Sequence, residues 1–232
     1  MRSLVEVAAR RGPDGRTVLP VVRATGQLAV RRTGESRIQL VAKAFGPLGG
    51  DVAVIRLYVE AGARLEVCSV AAAVCLPARA HARSTAELHA EVAPGGRLEV
   101  LLEPTIVAAG AEHHGFTQVA LAGDAGLRVT ERVVLGRHGE EPGRWTGTTR
   151  IERDGRPVLH TTVDLGPGSP MWRGPTTPRS YATDLLLDNK PLASSSTGLD
   201  AVQLALPSGS ITTAWGDRLE DVLARIAGLH LD

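Results

Sequence analysis

The sequence predicts a mainly β protein. Three observations carry this: runs in which apolar and polar residues alternate with period two, a weak internal repeat, and a helical apolar stripe confined to the C-terminal end. Asp51–Glu60 and Leu127–Val133 are two of the alternating runs. A period of two places every other side chain on one face, as in a half-buried strand. Short strands broken by Gly-containing turns recur from Thr25 to about Leu165.

The repeat is local but ordered. VEAGARLEV (Val59–Val67) is echoed by VAPGGRLEV (Val92–Val100) and more faintly by LAGDAGLRV (Leu121–Val129). In each, an apolar residue ends one strand, Gly turns the chain, and Leu65, Leu98 or Leu127 opens the next. Self-similarity at such spacing predicts stacked units, each burying the face its neighbour leaves open. Three similar hairpin turns in an ordinary sandwich would leave the same trace.

The remaining elements follow in order. Arg150–Asp164 reads as a hairpin, because Asp154-Gly155 supplies the positive φ of a tight primed turn. Gly166–Pro178 is a Gly- and Pro-rich loop, and Tyr181–Leu187 is a short strand or helix. Leu192–Gly198, with three serines, is an exposed connection. Ala201–Leu206 and Ser210–Trp215 form a second hairpin around Pro207-Ser208-Gly209. A helix follows, with Asp217 and Glu220 as capping box, Leu219, Val222, Leu223 and Ile226 as apolar stripe, and Gly228 as stop. The chain reads as one domain over 1–232, with a β-rich core at 25–165 and a hairpin plus helix at 199–232.

Composition narrows the function. The 232 residues carry 26 Lys and Arg against 25 Asp and Glu, a net charge of +1. Nucleic-acid and polybasic membrane surfaces need a clustered positive excess, so neither partner is expected. Aromatics are 3% of the chain, too few for stacking platforms. Met1–Gly12 lacks the apolar core of a signal peptide, and the weakly polar run Val67–Leu76 is too short for a membrane helix. A soluble cytoplasmic protein is expected.

Enzyme signatures are missing. There is no P-loop, no dinucleotide-binding glycine motif, no G-x-S-x-G elbow and no H-E-x-x-H. A triad assembled only in three dimensions would need Ser, His and Asp to converge in a pocket. Cys68 and Cys75 read as small buried hydrophobes; on one strand their odd offset would set them on opposite faces. Glu112-His113-His114 reads as an exposed polar turn near a strand start, with a transient imidazole ligand as the alternative. His138 with Glu140 and Glu141 reads as a solvated turn. Asp51 opens a strand after Gly49-Gly50, Glu103 precedes Pro104, and Glu131 lies inside an apolar strand. Each serves as turn former or ion-pair partner, or lines a polar passage that holds a divalent ion weakly.

Several ordered blocks carry a resemblance. They are Phe45–Asp51, then Val59–Val67, Leu102-Glu-Pro-Thr-Ile106, Glu131-Arg-Val-Val-Leu-Gly-Arg137, Trp145–Asp164 around Asp154-Gly155, and Tyr181-Ala-Thr183. Together, over roughly Thr25 to Leu229, the chain resembles the urease accessory protein UreD (UreH) family. The resemblance implies a compact β-helix-like stack of strands with a few helices. It implies a non-enzymatic role: binding apo-urease and UreF, which engages the GTPase UreG. It implies delivery of nickel to the urease active site, where a bridging lysine must be carbamylated, with an internal passage as the nickel route. No tightly bound cofactor follows from it, only nickel in transit. Asp51, Glu103 and Glu131 are then the candidate path residues, because separated carboxylates let an ion both enter and leave. Partner surfaces imply poor solubility of the isolated chain.

The chain also departs from the family pattern. Where the family carries a Thr-Thr-Gln-Ala-Ala-Thr-Lys-like segment, this sequence reads Cys68-Ser-Val-Ala-Ala-Ala-Val-Cys-Leu76, with valines at the Gln and Lys positions. A divergent member specialised to its own urease accounts for that. The competing expectation is a ligand-binding or structural β-solenoid unrelated to urease.

Overall fold

The computed structural model describes residues 1–174, 176–190, 192 and 194–229. Parts of the expected Gly/Pro loop (175), serine-rich connection (193) and C-terminal tail (230–232) lie outside the described residues. The elements are β1 (Arg2–Arg11), β2 (Thr17–Thr25), β3 (Leu28–Arg32), β4 (Arg37–Ala42), β5 (Val52–Val59), β6 (Arg64–Ser69), β7 (Ala73–Cys75), β8 (Arg83–Val92) and β9 (Arg97–Leu101). They continue with β10 (Thr105–Val107), β11 (Glu112–Leu121), β12 (Gly126–Leu135), β13 (Arg144–Arg153), β14 (Arg156–Leu165), β15 (Ser180–Leu187), β16 (Ser196–Gly198), β17 (Ala201–Leu206), β18 (Gly209–Gly216) and α1 (Leu219–Leu229).

From β4 to β13 the chain passes repeatedly from one of two sheets to the other and back, coiling as a β-solenoid of about four turns. The seven-stranded sheet runs β14-β13-β11-β8-β5-β1-β2, and β1, β5, β8, β11 and β13 are mutually parallel. In the eleven-stranded sheet β4, β6, β9 and β12 are parallel, and β15 to β18 extend it antiparallel.

The sequence repeat is the corner of this coil. Val59, Val92 and Leu121 stand level in one sheet, and Leu65, Leu98 and Leu127 stand level in the other. All six are almost fully buried in one core cluster. Stacked units are therefore the correct reading of the repeat, and a sandwich of hairpins is not. A Leu in each turn buries its face against the Leu above and below, which an isolated turn could not do.

Most other local expectations hold, but the end of the expected serine-rich connection, Ser196–Gly198, is strand β16, held by pairing with β17. Asp154 (φ 50) and Gly155 (φ 72) turn β13 into β14 as expected. Tyr181–Leu187 is strand, because β15 fills the place between β12 and β18. The helix stripe packs Val222 and Ile226 on Ala182, Ala201 and Ala214 of the outer sheet face. Its cap differs: Glu220 pairs with Arg218 at 2.6 Å, and Val222 N–H donates to the Arg218 carbonyl. The helix continues through Gly228. Cys68 and Cys75 are both free and buried but lie on different strands, β6 and β7.

Candidate functional site

A cavity of about 120 Å³ lies between the sheets, toward the β13–β15 end of the stack. Its origin is visible in the register. Ser3, Ala53, Ala86, Gly115 and Gly147 stand level across β1, β5, β8, β11 and β13. A row of small residues leaves a trough beside the row that carries Val5, Ile55 and Leu88. The Trp145 indole lies over Gly147, where a Cβ would collide with the ring.

Glu131 reaches into this space from β12. Its Oε1 lies 3.6 Å from the point a Cβ on Gly115 would occupy. It lines the cavity, and burial pushes its carboxyl up to about 7. The nearby Tyr181 phenol is pushed up by burial and then by the charge of Glu131. Glu103 lines the same cavity but is exposed, so it stands where the cavity meets solvent. Its backbone N–H donates to Ser69 Oγ at 2.9 Å. Two of the three sequence-proposed carboxylates therefore share one cavity.

Asp51 is not among the lining residues. It accepts from the N-terminal ammonium of Met1 and, at 2.9 Å, from Leu48 N–H. Burial opposes ionisation, but these bonds outweigh it and hold the carboxyl below its usual range. Gly49 and Gly50 belong to this turn: a Cβ on Gly49 would run into the His81 carbonyl, and Gly50 has φ +89. Thr85 N–H bonds the Asp51 carbonyl, and Val52 pairs with Thr85. One step earlier, Asp51 comes level with Ser84, which is level with His113 and Trp145.

That row holds what the sequence reading missed. His113 is not in an exposed turn but on β11, 4% exposed and lining the cavity. Its Nδ1 is 2.9 Å from Ser84 Oγ. Burial, with some repulsion from His114, lowers its pKa to about 4, so the ring is neutral at pH 7. His114 faces the other way and bonds Glu112 at 2.9 Å, as the strand period requires. Burial pushes the Cys75 thiol, close to Ser84, up to about 12. The partners lie 29 residues apart in sequence, so nothing local announces them.

The Ser84–His113 pair is not a hydrolytic dyad. Such a dyad presents Nε2 to the serine and Nδ1–H to a carboxylate. Here Nδ1 faces the serine, Ser84 is 1% exposed, and Asp51 is engaged by Met1 and Leu48. No group of three or more His, Cys, Asp or Glu side chains placed to hold an ion together occurs among the described residues.

Comparison with known proteins agrees with the architecture. The model of the family described as UreD urease accessory protein matches residues 3–209. The urease accessory protein UreD of Streptomyces avermitilis is 42% identical over 180 residues, covering 75% of this chain and 71% of that protein. That of Streptomyces coelicolor is 42% identical with the same coverage. The protein of that name from Parafrankia sp. is 37% identical over 209 residues, covering 80% of this chain and 69% of its own. These are accessory proteins rather than enzymes, and a solenoid unrelated to urease no longer competes. The chain belongs to the UreD urease accessory protein family.

Proposed function

We propose that this protein serves urease maturation by binding apo-urease and UreF, with UreG engaged through UreF, and by passing nickel toward the urease metallocentre. Nickel is cargo here, not a resident cofactor. The observation that carries the reading is the one cavity shared by Glu131, half-buried and reaching inward from β12, and the exposed Glu103. A carboxylate at a mouth and another inside offer successive weak oxygen sites, which an ion can enter and leave. Asp51 remains in the proposal as the carboxylate level with Ser84 and His113, at the β5 end of the polar row. No described helix is long and apolar enough to cross a membrane, and the proposed place of work is the cytoplasm.

The test is co-expression of the tagged chain with the urease subunits, UreF and UreG of the same source. Retention of urease or UreF on the tag, with nickel-dependent urease activity that needs the chain, is expected. Full activation without the chain, and no retention, would contradict the reading.

A further inference from the structure

His113 leaves one donor atom unused. Its Nδ1 is occupied by Ser84 Oγ at 2.9 Å, while Nε2 has no hydrogen-bond partner among the described residues. The ring is 4% exposed and lines the cavity that Glu131 enters. Glu131 Oε1 points at Gly115, two residues along the same face of β11. An imidazole held at one nitrogen by an outer partner and free at the other is how proteins present a metal ligand. With Nδ1–H donated to Ser84 Oγ, the lone pair falls on Nε2.

We propose that His113 Nε2 is the nitrogen donor of a transient transition-metal site in this cavity, with Glu131 and water as the other ligands, and that it sets the preference for nickel over Mg²⁺ and Ca²⁺. The proposal rests on the nickel passage put forward above. A path lined by carboxylates alone is a hard-ligand path, which suits Mg²⁺ and Ca²⁺. A neutral imidazole tips the choice toward nickel, which stands high in the divalent series. One nitrogen and one carboxylate do not make a cage, so the ion stays exchangeable.

The test is calorimetric Ni²⁺ binding to the purified full chain, with and without excess Mg²⁺, for wild type, His113→Gln, Glu131→Gln and Ser84→Ala. Thermal melts check that each variant is folded. His113→Gln is expected to weaken Ni²⁺ binding at the cavity site at least tenfold, to leave Mg²⁺ binding within twofold, and to lower the imidazole signal in nickel X-ray absorption. Ser84→Ala keeps Nε2 but frees the ring, and is expected to weaken Ni²⁺ about tenfold. It therefore decides the question should His113→Gln fail to fold. Unchanged Ni²⁺ affinity in His113→Gln or Ser84→Ala, with loss in Glu131→Gln, would overturn the histidine assignment and leave the passage standing. Unchanged affinity in all three would overturn both.

Discussion

Glu131 and Gly115 face each other across the gap between the sheets, with the carboxylate Oε1 3.6 Å from where a Cβ on Gly115 would stand. That separation is ordinary van der Waals contact, so Gly115→Ala is expected to fold with little loss of stability. Gly147 differs, because its Cβ would enter the Trp145 ring. Gly147→Ala is expected to cost about 1–3 kcal/mol, as overpacking does. Denaturant titration of the two variants side by side checks the contrast, and equal costs would contradict the packing described.

Glu131 makes stability depend on pH in an unusual direction. Its carboxyl is raised by burial to about 7, so the folded state holds a proton that the unfolded chain releases near its ordinary value. The folded state therefore binds more protons in that window, and this contribution falls as pH rises toward about 7. Glu131→Gln removes it. The variant is expected to gain on wild type by about 1–3 kcal/mol between pH 5 and pH 8. Parallel stability curves across that range would contradict the raised carboxyl of Glu131.

Leu98 stands between Leu65 and Leu127 in the corner stack and is 1% exposed. Leu98→Ala is expected to cost about 2–5 kcal/mol, because rigid rungs on both sides cannot collapse into the space. Chemical denaturation measures this. A loss of about 0.5 kcal/mol or less, the range of ordinary surface changes, would mean that the corner is not the core.

Phe45 and Leu199 are 92% and 86% exposed. Large apolar side chains so open to water favour association of the isolated chain. Light scattering is expected to show growth with concentration, reduced in a Phe45→Ser, Leu199→Ser double variant. A monodisperse wild-type monomer at high concentration would contradict this.

The solenoid was legible because it repeats in the sequence. Leu65, Leu98 and Leu127 mark one corner three times, and the parallel register lays them side by side. Glu131 was legible because a carboxylate inside an apolar strand conflicts with its surroundings. His113 was not, since beside Glu112 and His114 it resembles a polar turn, and the Ser84 that explains it lies on the previous coil of the chain. The small row from Ser3 to Gly147 was equally hidden, because its members become neighbours only through parallel pairing. The helix cap differs by one residue: the first helical hydrogen bond runs from Val222 N–H to the Arg218 carbonyl, one position after Asp217.

The most direct test of the central claim is the nickel content and activity of urease matured with a Glu103→Ala, Glu131→Ala double variant of this chain, with partner retention measured on the same sample. The account predicts that the variant still retains its partners while nickel loading and urease activity fall at least severalfold. Full loading and activity with partners retained would show that the cavity between the sheets is not the route.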